Sequence, residues 1–268
     1  MTKFVLGVAV WIAGAGGSAF AEPKIMTWHV DGVTREAIVY LPTAKTASGK
    51  APLVLAFHGH GDDARNFQGV GIHEEWPQAI VAYPEGLPSP RDGAAGWQVE
   101  KGEDGDRDLK LIDQMVAGLR KQYRVDDARI YSTGFSNGAN LTYLLWAERP
   151  QMFAAFAPVA ARIRPSVHFT TPKPLFHTGG TADRQIPFAD QQAAIESARR
   201  ADGATGKGES CGAQCTLYTS DLSGGKAGAP VMTLIHGGGH VYPEQVSRLI
   251  VDFFRRYTLA SASGQQHD

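Results

Sequence analysis

The sequence predicts an α/β protein: a mostly parallel central sheet with helices on both faces and an antiparallel hairpin at its N-terminal end. Three observations lead there. Short, continuous apolar runs such as Pro52-Leu53-Val54-Leu55-Ala56-Phe57 lack the alternation of a one-sided sheet and read as strands buried on both faces. Segments with apolar residues at helical spacing separate these runs, and strand–helix alternation of that kind builds a parallel sheet. Ahead of them, residues 24–30 and 33–41 flank Asp31-Gly32, a dipeptide suited to a two-residue hairpin turn.

Taken in chain order, the buried-strand reading applies to residues 52–57, 79–83, 129–133, 153–159, 174–178 and 231–236. Leu109, Ile112, Val116, Leu119 and Tyr123 recur at helical spacing, with Asp106 and Asp108 placed to cap the helix start. Residues 137–148, 191–201 and 243–257 read as further helices, the last opened by Pro243-Glu244. Without an internal repeat or a dividing linker, residues 22–268 are expected to form one domain, with a polar tail over 260–268 that frays.

The chain has 268 residues, 43% hydrophobic and 20% charged, with a formal net charge of −1, the profile of an ordinary globular protein. A core of this size needs no metal or disulfide framework. No basic excess points to nucleic acid as a partner. At the N-terminus Lys3, an uncharged apolar run and small residues ending Ala19-Phe20-Ala21 describe a secretory signal peptide over residues 1–21, cut before Glu22. A membrane anchor is the competing reading, weakened by the Gly, Ala and Ser of the second half of that stretch. The mature chain is therefore expected in the periplasm or outside the cell, free of the membrane. Export suits the only two cysteines, Cys211 and Cys215, which are close enough to form a short-loop disulfide in an oxidising compartment.

The chemistry centres on Gly134-Phe135-Ser136-Asn137-Gly138, a G-x-S-x-G sequence between a predicted strand and a predicted helix. A serine at the tip of so sharp a turn adopts a strained backbone, and glycines at both flanks remove the collisions that side chains would make. The following helix aims its free N–H groups at the same point, which suits a developing oxyanion. In a chain with 31 glycines the pentapeptide alone is weak; its position and the acid and base downstream of it give it weight. A serine hydroxyl needs a base, and the base needs an orienting carboxylate. Asp183 stands in a glycine-rich loop past the strand at 174–178, and His240 in Gly237-Gly238-Gly239-His240 past the last strand. Loops at the carboxyl ends of parallel strands converge on one crevice, so Ser136, Asp183 and His240 are expected to meet there. The rivals are Asp190 for the acid and His236 for the base, while His177 reads as a satisfied histidine within a strand. His58-Gly59-His60-Gly61 follows a central strand, where a second oxyanion donor is expected from the His60 N–H beside that of Asn137. These roles call for no cofactor and no metal. A different reading takes His58-x-His60-x-Asp62-Asp63 as a version of the zinc motif of metallo-β-lactamase-like hydrolases, with Asp63 where that motif has its closing histidine.

Five phrases in order, HGHGDDARNF, GFSNGANLTYLL, FAAFAPVAARI, GGTADRQIPF and GGGHVYP, resemble the secreted feruloyl esterases and polyhydroxybutyrate-depolymerase-like esterases. The resemblance covers most of residues 22–268. It implies the α/β-hydrolase fold, a nucleophile at Ser136, an acid at Asp183 and a base at His240, acting on a small or oligomeric ester. The family's final motif commonly has tryptophan where this chain has Tyr242, which marks Tyr242 as a candidate substrate-binding residue. No polymer-binding domain is recognisable, so soluble esters of feruloyl, acetyl or hydroxyalkanoate type are the expected substrates. A peptidase on the same fold is the alternative. Oligomeric state is left open. The long segment over residues 84–108, rich in proline and glycine, leaves the carboxyl end of the sheet and should border the crevice. Within it Trp97 is either an anchor to the core or a wall of the acyl pocket.

Overall fold

The computed structural model describes residues 22–220 and 228–259. The expected signal peptide and frayed tail lie outside those residues. The chain order is β1 (Lys24–Val30), β2 (Val33–Tyr40), β3 (Ala51–Phe57), α1 (Ala64–Phe67), α2 (Ile72–Glu75), β4 (Ile80–Pro84), β5 (Leu87–Pro88), β6 (Ala95–Gly96) and α3 (Arg107–Gln122). It continues with β7 (Val125–Phe135), α4 (Asn137–Glu148), β8 (Ala155–Val159), β9 (Leu175–Gly180), α5 (Phe188–Asp202), β10 (Glu209–Gly212), β11 (Cys215–Tyr218), β12 (Val231–His236) and α6 (Val246–Phe254).

Ten strands form one sheet in the order β1-β2-β4-β3-β7-β8-β9-β12-β11-β10. The run from β4 to β12 is parallel throughout, and antiparallel strands flank it at both ends. This is the α/β-hydrolase fold. Each central strand feeds both faces. Leu53, Leu55 and Phe57 of β3 join Ile80 and Ala82 of β4 in a core closed by α3, α4 and α5. Val54 and Ala56 join Val81 and Tyr83 in the opposite core, closed by α1, α2 and α6. Burial on both faces is what the unbroken apolar runs encode.

Asp31 and Gly32 both have positive φ, 50° and 80°, as a type I′ hairpin turn requires. Two local expectations give way. Neither Asp106 nor Asp108 caps α3: Asp106 accepts from Gln98 Nε2 and the Gly102 N–H, and Asp108 is buried against Arg35 at 2.8 Å. A buried guanidinium needs a carboxylate more than a helix end needs a cap, since an unpaired buried charge is far costlier than a lost capping bond. Pro243 lies ahead of α6, which starts at Val246 after a turn closed by the Val246 N–H on the Pro243 carbonyl. The expected Cys211–Cys215 disulfide forms, and it closes the β10–β11 hairpin at the sheet edge. Glu209-Ser210-Cys211-Gly212 carries no apolar alternation by which that edge strand could be recognised. Among the described residues no helix is long and apolar enough to cross a membrane.

Candidate active site

Ser136 sits between the end of β7 and the first residue of α4 with φ 53° and ψ −114°, a conformation that costs about 1–3 kcal/mol for a residue with a Cβ. The surroundings enforce it. Its N–H donates to the Val159 carbonyl at 2.9 Å, and its own carbonyl accepts from Asn140 N–H at 3.0 Å. A Cβ on Gly134 would lie 2.5 Å from the Gly138 carbonyl carbon and oxygen, the collision across the turn that the sequence predicts. A Cβ on Gly138 would instead run into the carbonyl oxygens of Phe57 and His58 at the end of β3. The second glycine is therefore demanded by the neighbouring strand as well as by the turn.

Asp183 and His240 come together from separate loops. His240 Nδ1 and Asp183 Oδ2 are 2.8 Å apart, with the carboxylate wholly buried and the imidazole nearly so. Asp183 Oδ1 accepts from the N–H groups of Gln185 and Ile186, each at 2.9 Å. The two loops are bound to one another: Thr181 N–H donates to the His236 carbonyl and Ala182 N–H to the Gly238 carbonyl. That approach depends on Gly180, where a Cβ would strike the carbonyl oxygens of Gly238 and Gly239. The His240 ring lies 4.8 Å, centroid to centroid, from the ring of Phe135, the residue before Ser136.

The rivals are occupied elsewhere. Asp190 faces Arg162 at 3.6 Å, and His236 Nδ1 accepts from Gly238 N–H while partial burial pushes its pKa down. His177 is fully buried between Tyr143 and Gln191, and burial pushes it down to about 4. His58 is also fully buried: its Nε2 accepts from Gly86 N–H, so the ring is neutral with its proton on Nδ1, 2.7 Å from the Gly59 carbonyl. His60 pairs instead with Asp92 at 2.9 Å. Among the described residues no group of three His, Cys, Asp or Glu side chains is placed to hold a metal ion.

The turn after β3 passes beside the serine, for a Cβ on Gly59 would sit 3.7 Å from Ser136 Cβ. Trp97 links that turn to α4. Its main-chain N–H donates to Asn137 Oδ1 at 2.7 Å, Asn137 Nδ2 donates to its carbonyl at 3.1 Å, and its indole N–H donates to the His58 carbonyl at 2.9 Å. The indole is 5% exposed and packs edge-on against Phe57, yet Trp97 also lines a cleft of about 310 Å³ together with Ser136, Asn137 and His60. Trp97 is thus an anchor that also borders the cleft.

Tyr242 is not on that cleft. It is half-buried against Phe67 and Phe135, and it lines a separate groove of about 460 Å³. Its hydroxyl donates to Ser247 Oγ, which donates to the Val70 carbonyl, so the phenol is committed to seating α6. The cleft beside Ser136 is lined without Tyr242, which borders the neighbouring groove together with Phe135.

Sequence reasoning missed the charged lining. Arg91, Arg107, Arg162 and Arg164 border the cleft with only Glu103 and Asp104 as acids among its lining. They come from three separate segments and form no local motif. Their one local signal is the alternation of half-buried Arg162 and Arg164 after β8.

The fold places this chain among the α/β-hydrolase proteins. The family model for esterase PHB depolymerase matches residues 36–171, half of the chain, so the protein belongs to that family. The bifunctional acetylxylan esterase/xylanase XynS20E of Neocallimastix patriciarum is 28% identical over 87% of this chain and 35% of its own length. Feruloyl esterase B of Piromyces equi is 24% identical over 84% and 46%. The poly(3-hydroxyalkanoate) depolymerase C of Paucimonas lemoignei is 26% identical over 59% and 39%. The chain spans between about a third and a half of the length of these relatives. Among solved structures, an acetyl xylan esterase from Aspergillus awamori superposes with a TM-score of 0.65 at 17% identity, covering 87% of this chain and 99% of that one. The feruloyl esterase module from Clostridium thermocellum gives 0.58 at 15% identity, covering 93% and 92%.

Proposed function

We propose that the protein is an exported serine esterase that hydrolyses soluble carboxylic esters through an acyl-enzyme on Ser136. The observation that carries this reading is the buried 2.8 Å pairing of Asp183 with His240 Nδ1, made by two loops at the carboxyl end of the same sheet that presents Ser136 at a strained turn. With Nδ1 turned to Asp183, Nε2 is the nitrogen left to take the serine proton. Attack by Ser136 Oγ on the ester carbonyl then forms a tetrahedral oxyanion, held by the N–H groups of Asn137 and His60. His240 returns the proton to the departing alcohol as the C–O bond breaks. Water, deprotonated by the same nitrogen, releases the acid and restores the serine.

Acetylxylan, feruloyl and hydroxyalkanoate esterases among the relatives support three substrate classes: acetylated sugars, phenolic esters and hydroxyacid oligomers. The arginine-rich cleft favours acyl groups that carry polar or anionic substituents over plain alkyl chains. The test is a panel of soluble acetyl, butyryl, feruloyl and hydroxybutyrate-oligomer esters ranked by kcat/KM. Feruloyl or hydroxybutyrate esters are expected to exceed butyryl esters; a preference rising with alkyl chain length would overturn the assignment of acyl class.

A further inference from the structure

Asp183 has a fourth hydrogen-bond partner that the esterase mechanism does not use. Gln191, fully buried on α5, donates from Nε2 to Asp183 Oδ2 at 3.0 Å, the oxygen that faces His240. The same Nε2 donates to the Ile186 carbonyl at 2.8 Å. Two acceptors on one side fix which way round the amide lies: a flipped amide would set its oxygen against both. Gln191 Oε1 is then turned inward, 3.4 Å from His177 Nε2, which must donate. His177 Nδ1 in turn accepts from the Tyr143 hydroxyl at 2.8 Å. Each proton in the sequence Tyr143–His177–Gln191–Asp183 therefore has one consistent place.

Burial keeps these states fixed. Burial raises the Tyr143 phenol, which stays a donor, and holds His177 at about 4, which keeps it neutral at ordinary pH. The backbone leaves room for the arrangement at one point in particular. A Cβ on Gly179 would run into Gln191 Oε1, so the glycine that follows His177 and Thr178 in β9 is what admits the amide. Tyr143 lies on α4, the helix that begins immediately after Ser136, His177 on β9 and Gln191 on α5.

We infer that Gln191 is a positioning residue for Asp183, held in register by His177 and Tyr143, so that the helix carrying the nucleophile also sets the orientation of the acid. The inference rests on the serine-esterase reading. Three neutral side chains from three elements do by hydrogen bonding what a second charge would do at greater desolvation cost. A carboxylate with donors on both oxygens has one rotamer available, and His240 meets it without reorganisation.

The test compares Gln191→Met, which keeps the volume but removes the amide, with Asp183→Asn and with the double variant. Gln191→Met should lower kcat about 10-fold or more, the factor expected for a lost hydrogen bond to a charged group, with KM unchanged within about twofold. On the Asp183→Asn background the same substitution should cost little further, because the group it orients is already gone. Wild-type kcat in Gln191→Met, or a full multiplicative loss in the double variant, would overturn the inference. If Gln191→Met does not fold, Tyr143→Phe removes only the far hydroxyl, and the same cycle with Asp183→Asn decides the matter: coupling is expected, and independent losses would refute it. Retained activity in Ser136→Ala would instead bring down the esterase reading itself, whereas an inactive Ser136→Ala beside a fully active Gln191→Met would remove only the positioning role.

Discussion

On one side of Ser136 the loops after β9 and β12 hold Asp183 and His240 by short hydrogen bonds and by glycine contacts that admit no side chain. On the other, the segment between β4 and α3 and the loop after β8 present arginines to a cleft, each paired with a carboxylate at 3.4 Å or more. The Asp183–His240 corner is over-determined: four donors converge on one buried carboxylate. The cleft wall is held at a few points, chiefly Trp97, and its charged groups are partly exposed. If the proposed reading holds, the steps common to every ester fall to the heavily hydrogen-bonded corner, and selection among esters to the partly exposed wall.

The largest expected effects fall at the corner and the serine. Ser136→Ala and His240→Ala should each remove nearly all activity, on the order of 10⁶ in kcat, and Asp183→Asn about 10⁴, with the fold retained by circular dichroism. Residual activity of a few per cent in folded Ser136→Ala would take the serine out of its role. Next comes the turn. Gly138→Ala places a methyl against two β3 carbonyl oxygens, and displacement of Ser136 by even about 1 Å should cost on the order of 100-fold in kcat, measured beside an unchanged KM.

Trp97 sharpens the comparison, since it belongs to both regions. Trp97→Ala should destabilise by about 3–5 kcal/mol as a buried tryptophan, and it should slow p-nitrophenyl acetate as well as bulky esters, because the indole braces the turn that carries His60. Trp97→Phe keeps most of the packing and loses only the bond to the His58 carbonyl, about 1 kcal/mol. Selective loss on bulky esters with an unchanged melting temperature would make Trp97 a pocket wall alone.

A separate effect, away from the cleft, is on stability against pH. His177 is held at about 4 in the folded protein against 6.5 for the free side chain. The unfolded chain therefore binds a proton that the native state refuses, and stability falls as pH drops from about 6.5 towards 4, by on the order of 3 kcal/mol at the lower end. His73, also about 4 through burial, adds to the same trend. Urea midpoints at pH 7 and 4.5 should differ accordingly, and His177→Gln should reduce the difference; equal midpoints in the wild type would contradict it.

The glycine turns of the corner and the bordering segment 84–108 with Trp97 were legible in the sequence, and the arginines of the wall were not. Gly134, Gly138 and Gly180 are glycines because backbone passes where a Cβ would collide, and such constraints leave a local mark. Six strands, β3, β4, β7, β8, β9 and β12, follow from apolar runs that two faces of burial impose. Gln191 left no mark, because a buried amide on a helix reads like any polar residue until β9 is laid beside it. Asp108 reads as a cap in the sequence because its partner Arg35 lies 73 residues away. The arginines of the cleft converge only through the fold.

Covalent trapping tests the central claim most directly. The protein is treated with a fluorophosphonate, and the adduct is mapped by peptide mass spectrometry while residual esterase activity is followed. The account predicts one adduct per chain, on Ser136, appearing in step with the loss of activity, absent from Ser136→Ala and unaffected by exhaustive chelation. An adduct elsewhere, full activity after Ser136 is modified, or activity abolished by EDTA and restored by zinc would contradict it.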